Sequence, residues 1–312
     1  MYCRHEFTIE GHRIVALEYN AHKVGTPAIL IHGTLSSVGF WPEEGHIFHD
    51  QFHWYSLSLP GHYPAVFPDG FRHEDLSAET IARVLIKSIQ QLVGNQPVLL
   101  VGHSTGAFAA LAIAAQAPEI VRGIISVGGF VQGKWGGLLK LLQWQAGMGR
   151  AGEAMFRMNV RSGVLHPRIA LALSSFYAAD KWAYFSYPNI YRSIREQFVY
   201  SKHLDPYAMA HYFNRMPDID ISDWLPRITA STLVITGDKD PIVPSLQSAL
   251  IASSVAHGEL VMVAGAGHML MMERPEVYTQ TVNEWVKPFV DDSEMTNRSY
   301  ETEAMMLLAS ME

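Results

Sequence analysis

Short apolar runs and amphipathic segments alternate along the first 130 residues of the chain. The runs at 28–32 (AILIH) and 97–102 (PVLLVG) are continuous, which is typical of strands buried on both faces of a sheet. Residues 76–92 instead carry apolar side chains at helical spacing. Strands that alternate with helices favour parallel pairing through right-handed crossovers. The pattern therefore predicts an α/β protein.

Strands and helices are predicted on both sides of the middle of the chain. The predicted strands are residues 4–8, 13–19, 28–32, 53–59, 97–102, 121–127, 231–236 and 259–263. The predicted helices are residues 76–92, 105–116, 245–252 and 276–289. Because Glu10-Gly11-His12 separates the first two strands, these two are expected to form a hairpin.

The alternation stops between residues 130 and 222. This stretch is helical in pattern, is interrupted by prolines, and contains fifteen of the 34 aromatic residues of the chain. Because the strand–helix alternation resumes at 231, the stretch is interpreted as an insertion into one sheet domain. The predicted organisation is a core of residues 1–130 and 223–290, a helical cap of residues 131–222, and an acidic, flexible C-terminal tail of residues 291–312.

Composition narrows the class of protein. Of 312 residues, 48% are hydrophobic and 17% are charged, which supplies enough apolar material for a sizeable core. The net charge is −7 and the sequence has no cluster of Lys and Arg, so nucleic acid is excluded as a partner. The single cysteine, Cys3, excludes an intramolecular disulfide and any cysteine-based zinc or iron–sulfur site.

The sequence also predicts where the protein resides. No apolar run reaches the roughly 18 residues that a membrane-spanning helix needs. The N-terminal segment lacks the apolar core of a secretory signal. A cytoplasmic protein without a membrane span is therefore expected, and the oligomeric state is left open.

A candidate nucleophile lies between a buried strand and a helix of small residues. Residues 102–106 read GHSTG, and this context predicts a strained turn that presents Ser104 at the start of the helix. Glycines at 102 and 106 would relieve crowding at such a turn. The alternative interpretation is an ordinary loop in which Ser104 caps the helix.

A serine nucleophile needs a base, and the base needs an orienting carboxylate. Asp238 and Asp240 follow one late strand, and His268 follows the next. Both loops lie beyond the carboxyl ends of strands, where open parallel sheets build their sites. From the residues alone, either aspartate can accompany His268. His257 is placed in a turn at the other end of its strand.

No cofactor or metal site is predicted. His46 and His49, and His49 and His53, have ligand-like spacing, but no coherent carboxylate or cysteine joins them in the sequence pattern, and they are interpreted as surface histidines. No G-x-G-x-x-G follows a strand; Gly128-Gly129 lacks the rest of a dinucleotide-binding loop.

Four motifs in order resemble those of the α/β-hydrolase superfamily. They are HGT at 32–34, SLPGH at 58–62, GHSTG at 102–106, and the pair GDKDPIVP at 237–244 with GAGHMLMMERP at 265–275. The resemblance implies a mostly parallel, twisted sheet of about eight strands flanked by helices, with a helical cap inserted after strand 6. It also aligns the triad acid with Asp240, with Asp238 kept as a substitute. One departure is Ser58, where the family often has an acidic residue.

The resemblance extends to the residues around the nucleophile. It implies an oxyanion hole formed by the backbone N–H groups of Thr34 and Thr105, with Leu35 as the alternative first donor. His32 is expected to brace this loop. His103 is expected to be a buried, hydrogen-bonded neighbour of the nucleophile.

The predicted function is that of a serine hydrolase. Ser104, Asp240 and His268 would form a triad that cleaves a carboxylic ester or thioester of an apolar small molecule through an acyl-enzyme. The predicted substrate-binding residues are Leu35, His103 and Met269, and the run of Met and Leu at 269–272 is expected near the same cavity. Alternatives are an acyltransferase or thioesterase with the same triad, and a non-catalytic ligand-binding homologue. Hydroxynitrile lyases and cofactor-free oxygenases also retain similar triads.

Overall fold

The computed structural model describes residues 2–41 and 47–290. Its strands are β1 (Cys3–Ile9), β2 (His12–Tyr19), β3 (Ala28–Ile31), β4 (Trp54–Leu57), β5 (Val98–His103), β6 (Val121–Val127), β7 (Ser231–Gly237) and β8 (His257–Val263). They form one sheet of eight strands in the order β1-β2-β4-β3-β5-β6-β7-β8. The β1–β2 and β2–β4 pairs are antiparallel, and the remaining pairs are parallel. The predicted mostly parallel sheet is confirmed.

Helices flank the sheet and fill the connection between β6 and β7. Those outside that connection are α1 (Ile47–Gln51), α2 (Ala78–Val93), α3 (Thr105–Gln116), α10 (Ser245–Ser254), α11 (Leu270–Glu273) and α12 (residues 275–290). Those within it are α4 (Gly137–Gly147), α5 (Gly149–Gly163), α6 (Pro167–Ser174), α7 (Lys181–Ser186), α8 (Ile190–Ser201) and α9 (Pro206–Arg215). The expectation of helices after the sixth strand is confirmed.

The central strands are buried on both faces because each face packs against helices. On β3, Ile29 and Ile31 belong to the apolar cluster that contains α2 and α3, whereas Ala28 and Leu30 belong to the cluster that contains α12. This alternation explains why the strand reads as a continuous apolar run. The two helical layers cover the faces of the sheet, and the loops that follow the parallel strands lie at its carboxyl edge.

Most predicted boundaries differ from the observed ones by one or two residues. The strand predicted at 53–59 is shorter, Trp54–Leu57, and helix α1 was not predicted. His257 is the first residue of β8 rather than part of a preceding turn. The predicted tail, residues 291–312, lies outside the described residues.

Among residues 2–41 and 47–290, no helix combines the length and apolar character that spanning a membrane requires.

Candidate active site

Ser104 occupies a strained turn between β5 and α3. Its backbone has φ +56° and ψ −118°, a conformation that L-residues rarely adopt. Its N–H donates to the carbonyl of Val127 on the neighbouring strand, with an N–O distance of 2.9 Å. The hydroxyl accepts no cap hydrogen bond from α3, all of whose residues the structure describes. The turn therefore does not use Ser104 as a helix cap, and the buried residue lines a cavity instead.

Two glycines allow this turn to pack tightly. A Cβ at Gly102 would lie 2.3 Å from the backbone nitrogen of Ala107, and a Cβ at Gly106 would lie 2.1 Å from the carbonyl oxygen of Ile31. Both distances are far below van der Waals contact, so neither position accepts a side chain without backbone movement. The crowding predicted from GHSTG is thus present.

The loops after β7 and β8 bring Asp240 and His268 together. Asp240 Oδ2 lies 2.7 Å from His268 Nδ1, and the two side chains are 0% and 3% exposed. Asp240 Oδ1 accepts from the N–H groups of Ile242 (2.7 Å) and Val243 (2.9 Å). Because the carboxylate accepts, His268 Nδ1 is the donor, which leaves Nε2 able to take a proton.

Asp238 faces a different partner. Its Oδ1 accepts from the N–H of Gly265 at 2.6 Å, which ties the β7 loop to the β8 loop. Of the two aspartates that the sequence leaves open, Asp240 is the one hydrogen-bonded to His268.

The loop after β3 lies directly against the nucleophile turn. Thr34 Oγ1 and Thr105 Oγ1 are 2.5 Å apart, and a Cβ at Gly33 would lie 3.2 Å from Ser104 Cβ. Leu35 has φ +62°, a left-handed conformation that turns the chain at this point. Thr34, Leu35 and Ser104 all line one cavity.

His32 is fully buried and braces this loop. Its Nδ1 donates to the carbonyl of Gly33 at 2.9 Å, and its Nε2 accepts from the N–H of Leu59 at 3.2 Å. Burial lowers the pKa of His32 to about 4. The ring is therefore neutral near pH 7 and acts as a fixed hydrogen-bonding element.

His103 is the buried neighbour of the nucleophile. Its Nε2 donates to the carbonyl of His268 at 3.1 Å, and its ring stacks on Phe40 with centroids 5.0 Å apart. Burial, reinforced by the nearby His268, lowers the pKa of His103 to about 3. This neutral ring supports the loop that carries His268 and also lines the cavity.

Glu273 was missed by the sequence interpretation, although it lies within the quoted GAGHMLMMERP motif. Its buried carboxylate accepts from the N–H groups of Gly267 (3.0 Å), Ala179 (2.9 Å) and Asp180 (2.8 Å). Burial raises its pKa, against the lowering effect of these N–H donors. The carboxylate thereby joins the residue before His268 to the helical connection between β6 and β7.

Two further residues beside His268 were also missed. The N–H of His268 donates to the carbonyl of Tyr177 at 2.8 Å. A Cβ at Gly128 (φ +55°) would lie 3.1 Å from the imidazole. In the sequence, Gly128 is notable only as part of an incomplete dinucleotide-binding loop and Tyr177 gives no signal, because each residue contacts His268 only through the tertiary fold.

A cavity of about 580 Å³ opens beside Ser104 and His268. One wall is formed by the loops after β3, β5 and β8, and the other by helices α4, α5, α6 and α8. Apolar residues dominate the helical wall, including Leu142, Val160, Ile169, Leu173 and Ile194. No Asp, Glu, Lys or Arg is among the described residues that line it. The arrangement fits an uncharged, apolar group next to the serine.

The run at 269–272 is divided between two cavities. Met269 lines the cavity beside Ser104, as expected. Met271 and Met272 instead line a separate cavity of about 150 Å³, and Leu270 is buried in the core. The expectation that all four residues lie near one cavity was therefore wrong, because α11 turns successive side chains in different directions.

Comparison with known proteins places the chain in a family. The family described as the alpha/beta hydrolase fold matches residues 26–275. The chain therefore belongs to the α/β-hydrolase fold family.

The individual relatives and solved structures that resemble this chain have low sequence identity to it. A pimeloyl-[acyl-carrier protein] methyl ester esterase of Xanthomonas axonopodis pv. citri is 23% identical over 278 residues, covering 84% of this chain and 95% of the relative. The structure of a thermophilic esterase from Thermogutta terrifontis superposes with a TM-score of 0.67 at 20% identity, covering 92% of this chain and 99% of that one. The enol-lactonase from Burkholderia xenovorans LB400 gives a TM-score of 0.70 at 16% identity, with coverages of 90% and 99%. The structural similarities show the shared fold.

Proposed function

We propose that this chain is a serine hydrolase that cleaves a carboxylic ester or thioester of an apolar small molecule through an acyl-enzyme on Ser104. The observation that carries the proposal is that Ser104, on its strained turn, opens onto the same cavity as His268, whose Nδ1 is held by Asp240. Acyl transfer requires a serine in this setting, a base whose second nitrogen can take the proton of the serine, and a buried carboxylate that holds the base.

In the proposed first step, Ser104 Oγ attacks the acyl carbon while its proton passes to His268 Nε2. Asp240 keeps the imidazole in the tautomer that accepts this proton and stabilises the cation that forms. The N–H groups of Thr34 and Thr105 stabilise the oxyanion; the contact between the two threonine hydroxyls supports this pairing. The intermediate collapses, and the leaving alkoxide or thiolate takes the proton from His268.

In the second step, water attacks the acyl-enzyme. His268 takes a proton from that water, and the new tetrahedral intermediate expels Ser104, which recovers its proton from the imidazolium. The free carboxylic acid leaves. An alcohol, amine or thiol that reached the acyl-enzyme in place of water would make the same site an acyltransferase.

One feature supports an apolar acid, and another supports an ester. The lining of the cavity beside Ser104 includes no charged Asp, Glu, Lys or Arg among the residues that the structure describes, so a charged acyl group would lose hydration without gaining a partner. Relatives of this chain are named as a methyl ester esterase and an esterase. Residues 131–222 act in this proposal as a cap, since helices from that region form one wall of the cavity.

Hydrolysis of p-nitrophenyl butyrate by the purified chain tests the proposal. Ser104→Ala is expected to lower turnover by about 10⁴-fold, because triad members act as a unit. Intact-mass spectrometry of the wild type should detect one acyl group, absent from Ser104→Ala. Ser253→Ala, an exposed serine on α10, serves as the matched control and should retain full activity.

Ser104→Ala that kept a tenth of the wild-type rate would overturn the assignment. Adding alcohol or thiol acceptors to the same assay separates the two second steps. Hydrolysis predicts that free acid remains the main product, whereas acyl transfer predicts that the acceptor's ester or thioester accumulates instead.

A further inference from the structure

Three side chains of metal-ligating type lie together at the edge of the sheet that β1 forms, and none of them lines the cavity beside Ser104. Cys3 and His5 lie two residues apart on β1, so both point to the same face of the strand. Glu18 on β2 pairs directly with Cys3 in the antiparallel register. One ligand atom from each of these three residues lies within 4.8 Å of the others.

His53, which immediately precedes β4, completes the group. Its Nε2 lies 2.8 Å from Glu18 Oε1, while His5 Nε2 lies 2.7 Å from Glu18 Oε2. Tyr55 donates its hydroxyl to Glu18 Oε1 at 3.0 Å, which fixes the orientation of the carboxylate. The imidazole of His5 on β1 and that of His53, just before β4, therefore converge on one carboxylate whose side chain is only 14% exposed.

We propose that Cys3, His5, Glu18 and His53 form a binding site for zinc(II). The donor set would be one thiolate sulfur, two imidazole nitrogens and one carboxylate oxygen, in the four-coordinate arrangement that zinc adopts in proteins. Magnesium and calcium prefer oxygen ligands and are not expected to bind a set with one thiolate and two imidazoles. Such a site departs from the sequence-based expectations above, which exclude any cysteine-based zinc site and interpret His53 as a surface histidine. The departure arises because the fold brings Cys3 next to His5 and Glu18, and Glu18 next to His53.

The present geometry is close to what zinc requires. Bonds of about 2.0–2.3 Å at tetrahedral angles place ligand atoms roughly 3.3–3.8 Å apart. One ligand atom each from Cys3, His5 and Glu18 lies within 4.8 Å of the others, and His53 Nε2 lies 2.8 Å from Glu18 Oε1. Rotation of the exposed Cys3 side chain and of the two imidazoles would bring the four atoms to the separations that zinc needs. The contacts between Glu18 and the two histidines would be exchanged for bonds from each group to the metal.

Zinc at this position would stabilise the edge of the sheet that β1 forms. Within the described part of the chain, β1 is an edge strand and pairs with β2 alone, whereas Glu18 belongs to β2 and His53 adjoins β4. One ion would connect all three chain segments. Because the unfolded chain does not bring the four ligands together, binding stabilises the folded state and raises the melting temperature.

Titration of the tag-free, chelator-treated full chain with ZnCl₂ and with CoCl₂ tests the site. Calorimetry is expected to give one zinc ion per chain with micromolar or tighter affinity, together with a higher melting temperature. Cobalt should produce a thiolate-to-cobalt charge-transfer absorption that reports on Cys3 directly. Neither measurement depends on hydrolytic activity, so failure of this proposal would not affect the one for Ser104.

Variants decide whether the observed binding is at this site. Cys3→Ser is expected to abolish the charge-transfer absorption, and Cys3→Ser, Glu18→Gln and His53→Gln should each weaken zinc binding by at least about tenfold. His22→Gln, an exposed histidine outside the group, is the control and should bind zinc as the wild type does. The proposal is overturned if stoichiometric binding is absent, or if Cys3→Ser binds zinc with wild-type affinity.

Discussion

Asp238 and Asp240 lie two residues apart in one loop, yet their carboxylates contact different partners. Asp240 contacts His268, and Asp238 contacts the N–H of Gly265. The difference arises because the loop turns between them, so side chains of the same type meet opposite surroundings. At the scale of single residues, orientation rather than residue type distinguishes the two roles.

Asparagine substitution at the two positions should therefore have unequal effects. Asp240→Asn turns an amide N–H toward His268 Nδ1 and selects the wrong tautomer, so kcat should fall by about 10⁴-fold. Asp238→Asn keeps an oxygen that accepts from Gly265 and should change kcat by less than about threefold. Steady-state ester hydrolysis measures both. Reversed effects would mean that Asp238 is the functional acid.

At the scale of elements, the site depends on how closely α3 approaches β3. The missing side chain of Gly106 lets the first turn of α3 rest against the backbone of Ile31. This contact brings the helix N-terminus, and with it the N–H of Thr105, beside the loop that follows β3. Helix and strand thereby set the position of Ser104 together.

Gly106→Ala is predicted to destabilise the fold by about 3 kcal/mol, because its Cβ would overlap a backbone oxygen that cannot move independently. Gly147→Ala is the matched control. A Cβ there meets nothing within 4 Å at the end of α4, so stability should stay the same or rise by about 0.5–1 kcal/mol. Urea unfolding measures both; equal effects would contradict the packing argument.

Glu273 links two elements that are far apart in sequence, and it is predicted to be a positioning residue. Glu273→Gln removes one acceptor oxygen from a buried set of three N–H donors and should shift the loop that carries His268. We expect kcat to fall about tenfold to a hundredfold with a smaller change in KM. Glu276→Gln, exposed in the same segment, should have no effect. A purely structural role would lower the melting temperature and leave kcat unchanged.

At the scale of the whole molecule, the proposed reacting groups and most of the cavity wall come from different parts of the chain. The sheet supplies Ser104, Asp240 and His268 at its carboxyl edge, and the helices between β6 and β7 supply most of the apolar wall. Loops at that edge can differ in sequence, and so in the ligand they bind and the reaction they support, while the sheet that carries them remains the same. Substrate preference is therefore expected to depend mainly on the helical wall.

The apolar wall predicts a preference for longer acyl chains. Each added methylene that is buried contributes up to about 0.8 kcal/mol, so kcat/KM should rise about fourfold per carbon until the cavity is full. A series of p-nitrophenyl esters from acetyl to octanoyl measures the profile. Val160→Phe, which narrows the cavity, should move the optimum to shorter chains. A flat or falling profile from acetyl to hexanoyl would contradict an apolar acyl site.

Buried neutral histidines predict that the molecule loses stability in mild acid. Burial lowers the pKa of His32 to about 4, that of His103 to about 3, and that of His62 well below its usual value. The unfolded chain takes up these protons near pH 6.5, whereas the folded chain does not. The contribution of these neutral rings to the free energy of unfolding is therefore fully present above pH 6.5. It decreases as the pH falls toward the pKa values of the histidines in the folded state.

Each of these histidines contributes a slope of up to about 1.4 kcal/mol per pH unit. Glu273, with its raised pKa, opposes this trend, whereas the lowered pKa values of His12 and His211 add to it. Urea unfolding at several pH values from 7.5 to 5 measures the slope. A free energy of unfolding that stays constant over that range would show that these rings are not held neutral.

The features that the sequence determined are those that depend on local burial and local sterics. A strand buried on both faces must read as a continuous apolar run, and a tight strand-to-helix turn must have glycines where Cβ atoms would clash. These requirements identified the central strands, the helices after β6 and the turn at Ser104. Each requirement involves only a few neighbouring residues, so it can be recognised directly in a single sequence.

Only the tertiary structure decided the contacts between residues that are distant in sequence. The contacts of Glu273 with residues 179–180 and the convergence of Cys3, Glu18 and His53 each join separate segments. For the partner of His268, the residues alone leave Asp238 and Asp240 open, and only the family resemblance favours Asp240, which the structure places 2.7 Å from the imidazole. Residue type alone did not predict them, because the direction of each side chain depends on where its loop or strand is held. Packing of the sheet against its helices sets those directions, and with them the chemistry of the site.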